Sequence, residues 1–169
     1  MIQKVIKFIG LVFIPCMVNS QQLIVQIEGD IQFNENLLTI REAGNDYPAT
    51  LETHSSVYVS VQYDDQLNKK KNPNEPWRVF VHKQNMEWNE NLSLKVRRTG
   101  KGSRLGNPGN PNIQNGDVFQ DITNNPTYFF RGRGEIVQIP LAFELSGFSL
   151  AMGAGDFETS LVFTVYDDW

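Results

Sequence analysis

Residues 157–169 read FETSLVFTVYDDW, and the alternation in that stretch decides the fold. Phe157, Thr159, Leu161, Phe163 and Val165 fall on one face of an extended chain, while Glu158, Ser160, Val162, Thr164 and Tyr166 fall on the other. A period of two belongs to a strand that buries one face. The stretch follows the turn Gly153-Ala154-Gly155-Asp156 and closes the sequence, so a final strand with one uncovered edge is expected. Such an edge is a row of unpaired N–H and C=O groups, a liability unless it is covered or used for association.

The same period recurs upstream. LIVQIEG sets Leu23, Val25 and Ile27 on one face, and VYVSVQY sets Val57, Val59 and Val61 against Tyr58, Ser60 and Gln62. WRVFVHK alternates Trp77, Val79 and Val81 with Arg78, Phe80 and His82, and LSLKVRR aligns Leu92, Leu94 and Val96. EIVQIPLAFEL adds a long strand, and LLTIRE and TYFFR add shorter ones. Turn signals separate them at Gly44-Asn45-Asp46, Asn72-Pro73-Asn74 and Gly153–Asp156, and no window holds a helical period. Seven to eight strands at this spacing predict an all-β chain, an immunoglobulin-like Greek-key β-sandwich, with a closed barrel as the alternative. Pro140 inside a strand pattern predicts an edge, a bulge or a bend between sheets.

The first twenty residues differ in kind. Lys4 and Lys7 precede the apolar block FIGLVFIPCMV, which closes at Val18-Asn19-Ser20. Basic, apolar and small residues in that order make a secretory signal peptide, and the block is too short to span a bilayer. The expected organisation is a leader over 1–20 and one β-sandwich domain over 21–169, in a secreted, periplasmic or cell-surface location. Cys16, the single cysteine, lies in the leader behind Pro15. Lipid attachment there is the lesser reading, because the processing enzyme needs a small residue before the cysteine. The mature chain then has no disulfide. The leader carries two of the 15 basic residues and none of the 19 acidic ones, so the mature charge is 13 − 19 = −6. That balance argues against nucleic-acid binding, which needs a basic surface.

Residues 100–126, rich in Gly, Asn and Pro, are too poor in apolar side chains to look like core and too long for a hairpin turn. Such loops are functional or disordered. GKGSRLG within them resembles a phosphate loop only in composition, since no helix pattern follows. Lys95, Arg97, Arg98, Lys101 and Arg104 form a basic run, with Arg131 and Arg133 further on. The run reads either as a contact for an acidic partner or as a solvated face, the latter being the commoner origin of such runs. The lysines at 69–71 read as a solvated turn.

No catalytic centre, metal or cofactor is expected. His54 and His82 are the only histidines, and neither has a ligand-spaced or triad companion. The carboxylate pairs Glu87/Glu90 and Asp64/Asp65 are of the kind surface turns produce, and Asp117 and Asp121 match no calcium-loop spacing. Trp77 reads as core because it shares a face with Val79 and Val81, while Trp88 is a candidate ligand contact beyond a strand end.

The segment IPLAFELSGFSLAMGAGDFETSLVFTVYDD resembles the C-terminal part of chaperone–usher pilins and of spore coat protein U-like secreted proteins. The residues that carry the resemblance are Ala154, Gly155, Asp156, Phe157, Phe163, Val165 and Tyr166. Two features depart from the family: the Cys pair is absent, and the insertion around residues 107–115 is unfamiliar. The resemblance implies an incomplete immunoglobulin-like sandwich whose missing strand comes first from a periplasmic chaperone and then from a neighbouring subunit. It makes Leu23, Val25 and Ile27 the knobs of a donated segment, or alternatively the protein's own first strand. Phe163, Val165 and Tyr166 would sit on the accepting strand.

The expected function is therefore non-enzymatic: a structural subunit of a surface or extracellular fibre that associates by strand complementation. The alternative is a self-contained ligand-binding module, with carbohydrate as the ligand class. It would use Trp88 and the 100–126 loop.

Overall fold

In the computed structural model the described residues are 5–7, 23–34, 50–64, 74–105, 110–147, 149 and 157–168. The apolar block with Cys16, the segment LLTIRE, the turn residues at 44–46, 72–73 and 153–156, the lysines at 69–71 and Trp169 lie outside them.

Among the described residues every regular element is a strand. In order they are β1 (Val5–Lys7), β2 (Leu23–Glu28), β3 (Gln32–Asn34), β4 (Thr50–Tyr63), β5 (Pro76–Glu87), β6 (Ser93–Arg98), β7 (Ser103–Arg104), β8 (Ile113–Gln114), β9 (Gln120–Asp121), β10 (Thr127–Arg133), β11 (Ile136–Ser146) and β12 (Glu158–Asp167). Only β2, β4, β5, β6, β10, β11 and β12 reach six residues, and these seven build the sandwich.

Two antiparallel sheets carry the fold. One runs β2-β4-β11-β6-β9 with β7 also on β11, and the other runs β12-β5-β10-β8. A separate pair joins β1, inside the segment read as a leader, to β3. The expectation of an all-β chain with two packed sheets holds, and β2 lies against β12 at one flank.

The core follows the alternation residue by residue. Val59 and Val61 of β4, Val79 and Val81 of β5, and Leu94 and Val96 of β6 are all buried, while Tyr58 and Arg78 between them face solvent. Trp77 is wholly buried. Its indole N–H donates to the Gly134 carbonyl at 2.7 Å, and its ring meets Phe130 edge-on with centroids 5.9 Å apart. The ring lies across Gly132, its register partner on β10, where a Cβ would overlap it. Glycine is therefore required at 132 by close approach.

Pro140 sits in the interior of β11 opposite Tyr58, between two register shifts. On the other side of β11 it falls in the gap between β6 and β7, where no ladder bond asks for its missing N–H. Its carbonyl accepts from Thr99 N at 2.8 Å. Gln138, with φ of 54° in the left-handed region, turns the bulge and donates its N–H to Ser60 Oγ at 3.0 Å. That bond explains why Ser60 is buried although it lies on the outward register of β4.

The described part of the 100–126 segment, residues 100–105 and 110–126, forms more regular pairing than its composition suggests. It straps one flank of the sandwich. β8 pairs with β10 at the edge of one sheet, and β9 pairs with β6 at the edge of the other. Ile113 and Ile122 plug the strap into the core. Arg98 clamps it from beneath: its side chain is buried, Nε donates to the Asn115 carbonyl and NH1 to the Gly100 carbonyl, and Asp117 lies 3.9 Å away.

Candidate functional site

Three regions received the residues singled out in the sequence, and the fold keeps them apart.

The first is β12. It pairs with β5 from Glu158 to Asp167, and among the described residues no strand pairs with its other edge. Phe163 and Val165 are buried against the core and Leu161 is half-buried. Tyr166 points outward at 49 % exposure, its ring edge-on to Phe80 at 5.2 Å, and Phe80 meets Tyr128 at 5.9 Å. The C-terminal end of β12 is held to β5 by Arg78–Asp168 at 2.9 Å and by Asp168 N donating to the Pro76 carbonyl at 3.0 Å. Beside that clamp, Asp167 Oδ1 is buried with no hydrogen-bond partner among the described residues. Burial, and then the charge of Glu75, push the Asp167 carboxyl above the usual carboxylate range. Glu75 is itself buried and accepts from the Tyr63 hydroxyl at 3.2 Å.

Leu23, Val25 and Ile27 sit on β2, which this same chain pairs with β4 from Leu23↔Tyr63 to Glu28↔Tyr58. Leu23 is buried, and Val25 and Ile27 are half-buried against the core. β2 is the other long edge of this flank, because β4 is its only strand neighbour among the described residues.

The second region is the basic run, and the fold disperses it. Lys95 Nζ meets Glu144 Oε1 at 2.8 Å, and Arg97 NH2 meets Glu52 Oε1 at 2.8 Å, both across the outer face of the larger sheet. The hydrogen bond and charge of Glu144 hold the Lys95 ammonium pKa above its ordinary value. Arg97 also lies over the Phe119 ring at 4.7 Å. Arg98 faces inward and is committed to the strap, while Lys101 is exposed and Arg104 is half-buried. Arg131 is bound by Gln114 Oε1.

The third region went unread as a site. Where the strap crosses from β9 to β10, a cleft of about 440 Å³ opens between Lys83, residues 92–94 and residues 121–125. Leu92, Leu94 and Ile122 lie beneath it, and Ser93 Oγ donates to Asp121 Oδ1 at 2.9 Å on its rim. The 123–125 turn is fixed by Asn125 N donating to Thr123 Oγ1 and by Lys83 N donating to the Thr123 carbonyl. Lys83 Nζ stands 4.7 Å over the Trp88 ring, whose N–H donates to the Leu92 carbonyl at 3.1 Å. One face of the Trp88 ring is thus covered by an ammonium group, and Trp88 itself does not line the cleft. Burial lowers the Lys83 pKa from its ordinary value.

The sequence held a signal for both inward cations. The series Leu92, Leu94, Val96 runs on to Arg98, and Trp77, Val79, Val81 runs on to Lys83. Period two places each charge on the core side of its strand.

His82 lies on β5 with Nδ1 buried and unpartnered, and His54 lies on β4. Glu87 is exposed at the end of β5, and Asp117 and Asp121 are held by Arg98 and Ser93 respectively. Among the described residues no three His, Cys, Asp or Glu side chains converge as a metal site, and no helix is long and apolar enough to cross a membrane. Comparison of the chain with protein-family models, curated proteins and solved structures found no match.

Proposed function

We propose that this chain is an exported, non-enzymatic structural subunit of a surface or extracellular fibre, whose copies associate by β-strand addition at the outer edge of β12. The supporting observation is the strand order. An immunoglobulin-type sandwich places strands A, B, E and D in one sheet and C, F and G in the other. The order β2-β4-β11-β6 matches A-B-E-D, and β5-β12 matches C-F, with β10 added beyond β5. The place beside β12 that strand G takes in a complete sandwich holds no strand among the described residues.

The chemistry of that edge favours the same reading. Residues 159–166 of β12 contain no charge, no proline and no glycine, the devices by which edges are normally blunted. Strand addition gains its affinity from main-chain hydrogen bonds and its specificity from alternate side-chain pockets. Leu161 on β12 and Val25 and Ile27 on β2 are apolar and only half-buried, which leaves surface there for a donor's side chains. Because this chain pairs β2 with its own β4, the accepting strand carries the proposal and the donor is an extended segment of a second copy. Periplasmic delivery by a chaperone and removal of residues 1–20 belong to the same reading.

Light scattering on the purified protein over a wide concentration range tests it. Growth of linear assemblies is expected. Val162→Lys and Thr164→Lys, placed on the half-exposed outer face of β12, should abolish it. A protein that stays monomeric over the whole range would overturn the proposal.

A further inference from the structure

Lys83 and Arg98 hold equivalent places at opposite ends of the strapped flank: each continues the inward register of its strand past the last aliphatic residue. Arg98 is answered by two carbonyls and Asp117. Lys83 is not answered in this way. Among the described residues its ammonium meets no carboxylate, only the π face of Trp88. A partly desolvated cation without an anion is costly, so it has room for a partner that the described residues do not supply.

The cleft beside it narrows the chemistry of that partner. Its base is aliphatic, formed by Leu92, Leu94 and Ile122. Its rim carries hydroxyl, amide and carboxylate groups from Ser93, Asp121, Thr123, Asn124 and Asn125. A bare inorganic anion would leave the aliphatic base and the amide groups of the rim unused. An apolar peptide side chain would leave the rim unsatisfied. A pyranose ring has a C–H face for the base and hydroxyl groups for Asp121, Asn124 and Asn125, and one carboxylate on that ring would answer Lys83. A volume of about 440 Å³ lies within the usual range for small-ligand sites.

We propose that this cleft binds a carboxylate-bearing sugar, a uronic acid residue of an acidic glycan, with its carboxylate on Lys83 Nζ and its hydroxyls on the 121–125 rim. Trp88 acts as a prop that holds the ammonium at the mouth of the cleft, not as a stacking platform. The lowered pKa of Lys83 is consistent with a cation that gains from a ligand's charge. Lys83 lies on β5 as the register partner of Leu161 on β12, while the rim at 121–125 belongs to the strapped flank.

Calorimetric or NMR titration of the protein with a galacturonic acid trisaccharide, the matched neutral galactose trisaccharide and inorganic phosphate tests the proposal. Binding of the acidic trisaccharide alone is expected. Loss of one charge-assisted hydrogen bond in Lys83→Gln should weaken it about tenfold or more, and Lys83→Arg should recover much of it. Unchanged thermal melting of Lys83→Gln would show that the loss is not one of folding. If that variant does not fold, chemical-shift changes confined to residues 83 and 121–125 in the wild-type titration serve the same purpose. The proposal fails if the acidic trisaccharide does not bind, if the neutral one binds equally, if phosphate displaces it at similar concentration, or if a folded Lys83→Gln variant binds unchanged.

Discussion

On one flank of the sandwich the sheets end in β8 and β9, two residues each, laced together by one continuous strap. On the other they end in β2 and β12, six and ten residues long, with no strap between them among the described residues. The strapped flank binds its own backbone: Arg98 N donates to the Gly116 carbonyl at 2.6 Å, Ile122 N to the Leu94 carbonyl at 2.8 Å, and Gln120 Nε2 to the Tyr128 carbonyl at 3.0 Å. The open flank has two long, regular edges that are uncharged except at their ends. A sheet can be finished with loops or left ready for another strand, and this fold does one on each side.

The largest test of that contrast is Arg98→Ala. It strips the partner from two part-buried carbonyls and from the left-handed turn at Asn115 and Gly116, and should cost about 2 kcal/mol. Denaturant unfolding would measure the loss, and hydrogen exchange should rise first over residues 113–121. Arg98→Lys should rescue little, because an ammonium cannot span two carbonyls as the guanidinium fork does. Equal loss of protection on β2 and β12 would break the contrast.

A smaller effect is expected from Asp167→Asn at the clamp of the open flank. The folded-state pKa of Asp167 is raised, so its favourable contribution is full when it is protonated, below the ordinary carboxylate pKa. That contribution is lost as pH rises through the folded value. The Asn variant should therefore melt higher than the parent at neutral pH, and the difference should close in acid. A melting-temperature profile against pH for both proteins checks the sign.

Smallest on stability, although decisive for association, are the lysine substitutions at Val162 and Thr164. Both side chains are half-exposed, so the folding free energy should move by no more than about 0.5 kcal/mol. A cooperative loss of stability would mean that this edge is covered in the single chain, and the two flanks would then be alike.

Strands were legible in the sequence wherever one face is buried, because period two is forced by the pleat. The alternations at 57–61, 77–81 and 92–96 all reappear as buried and exposed rows. The strap was not legible for a different reason. Ile113 and Ile122 are isolated among Asn, Gly and Pro, and an isolated apolar residue has no period. Their burial depends on Arg98, more than a dozen residues away in sequence from Asn115, and such long-range anchoring leaves no local mark. The basic run carries the same lack of geometry: neighbours in sequence, Arg97 and Arg98 face opposite sides of one strand, and only one meets solvent. Trp88 stayed open between core and ligand contact because it follows a turn, and the residue that lines the cleft is the lysine over its ring.

The two described tryptophans also give the molecule a pair of built-in optical gauges. Trp77, sealed beneath Gly132 with its N–H on a carbonyl, should emit at short wavelength until the sandwich opens. Trp88, half-buried under the Lys83 ammonium, should change in intensity if that charge is drawn away. One indole therefore follows unfolding and the other follows occupancy of the cleft, within a single emission spectrum and without a label.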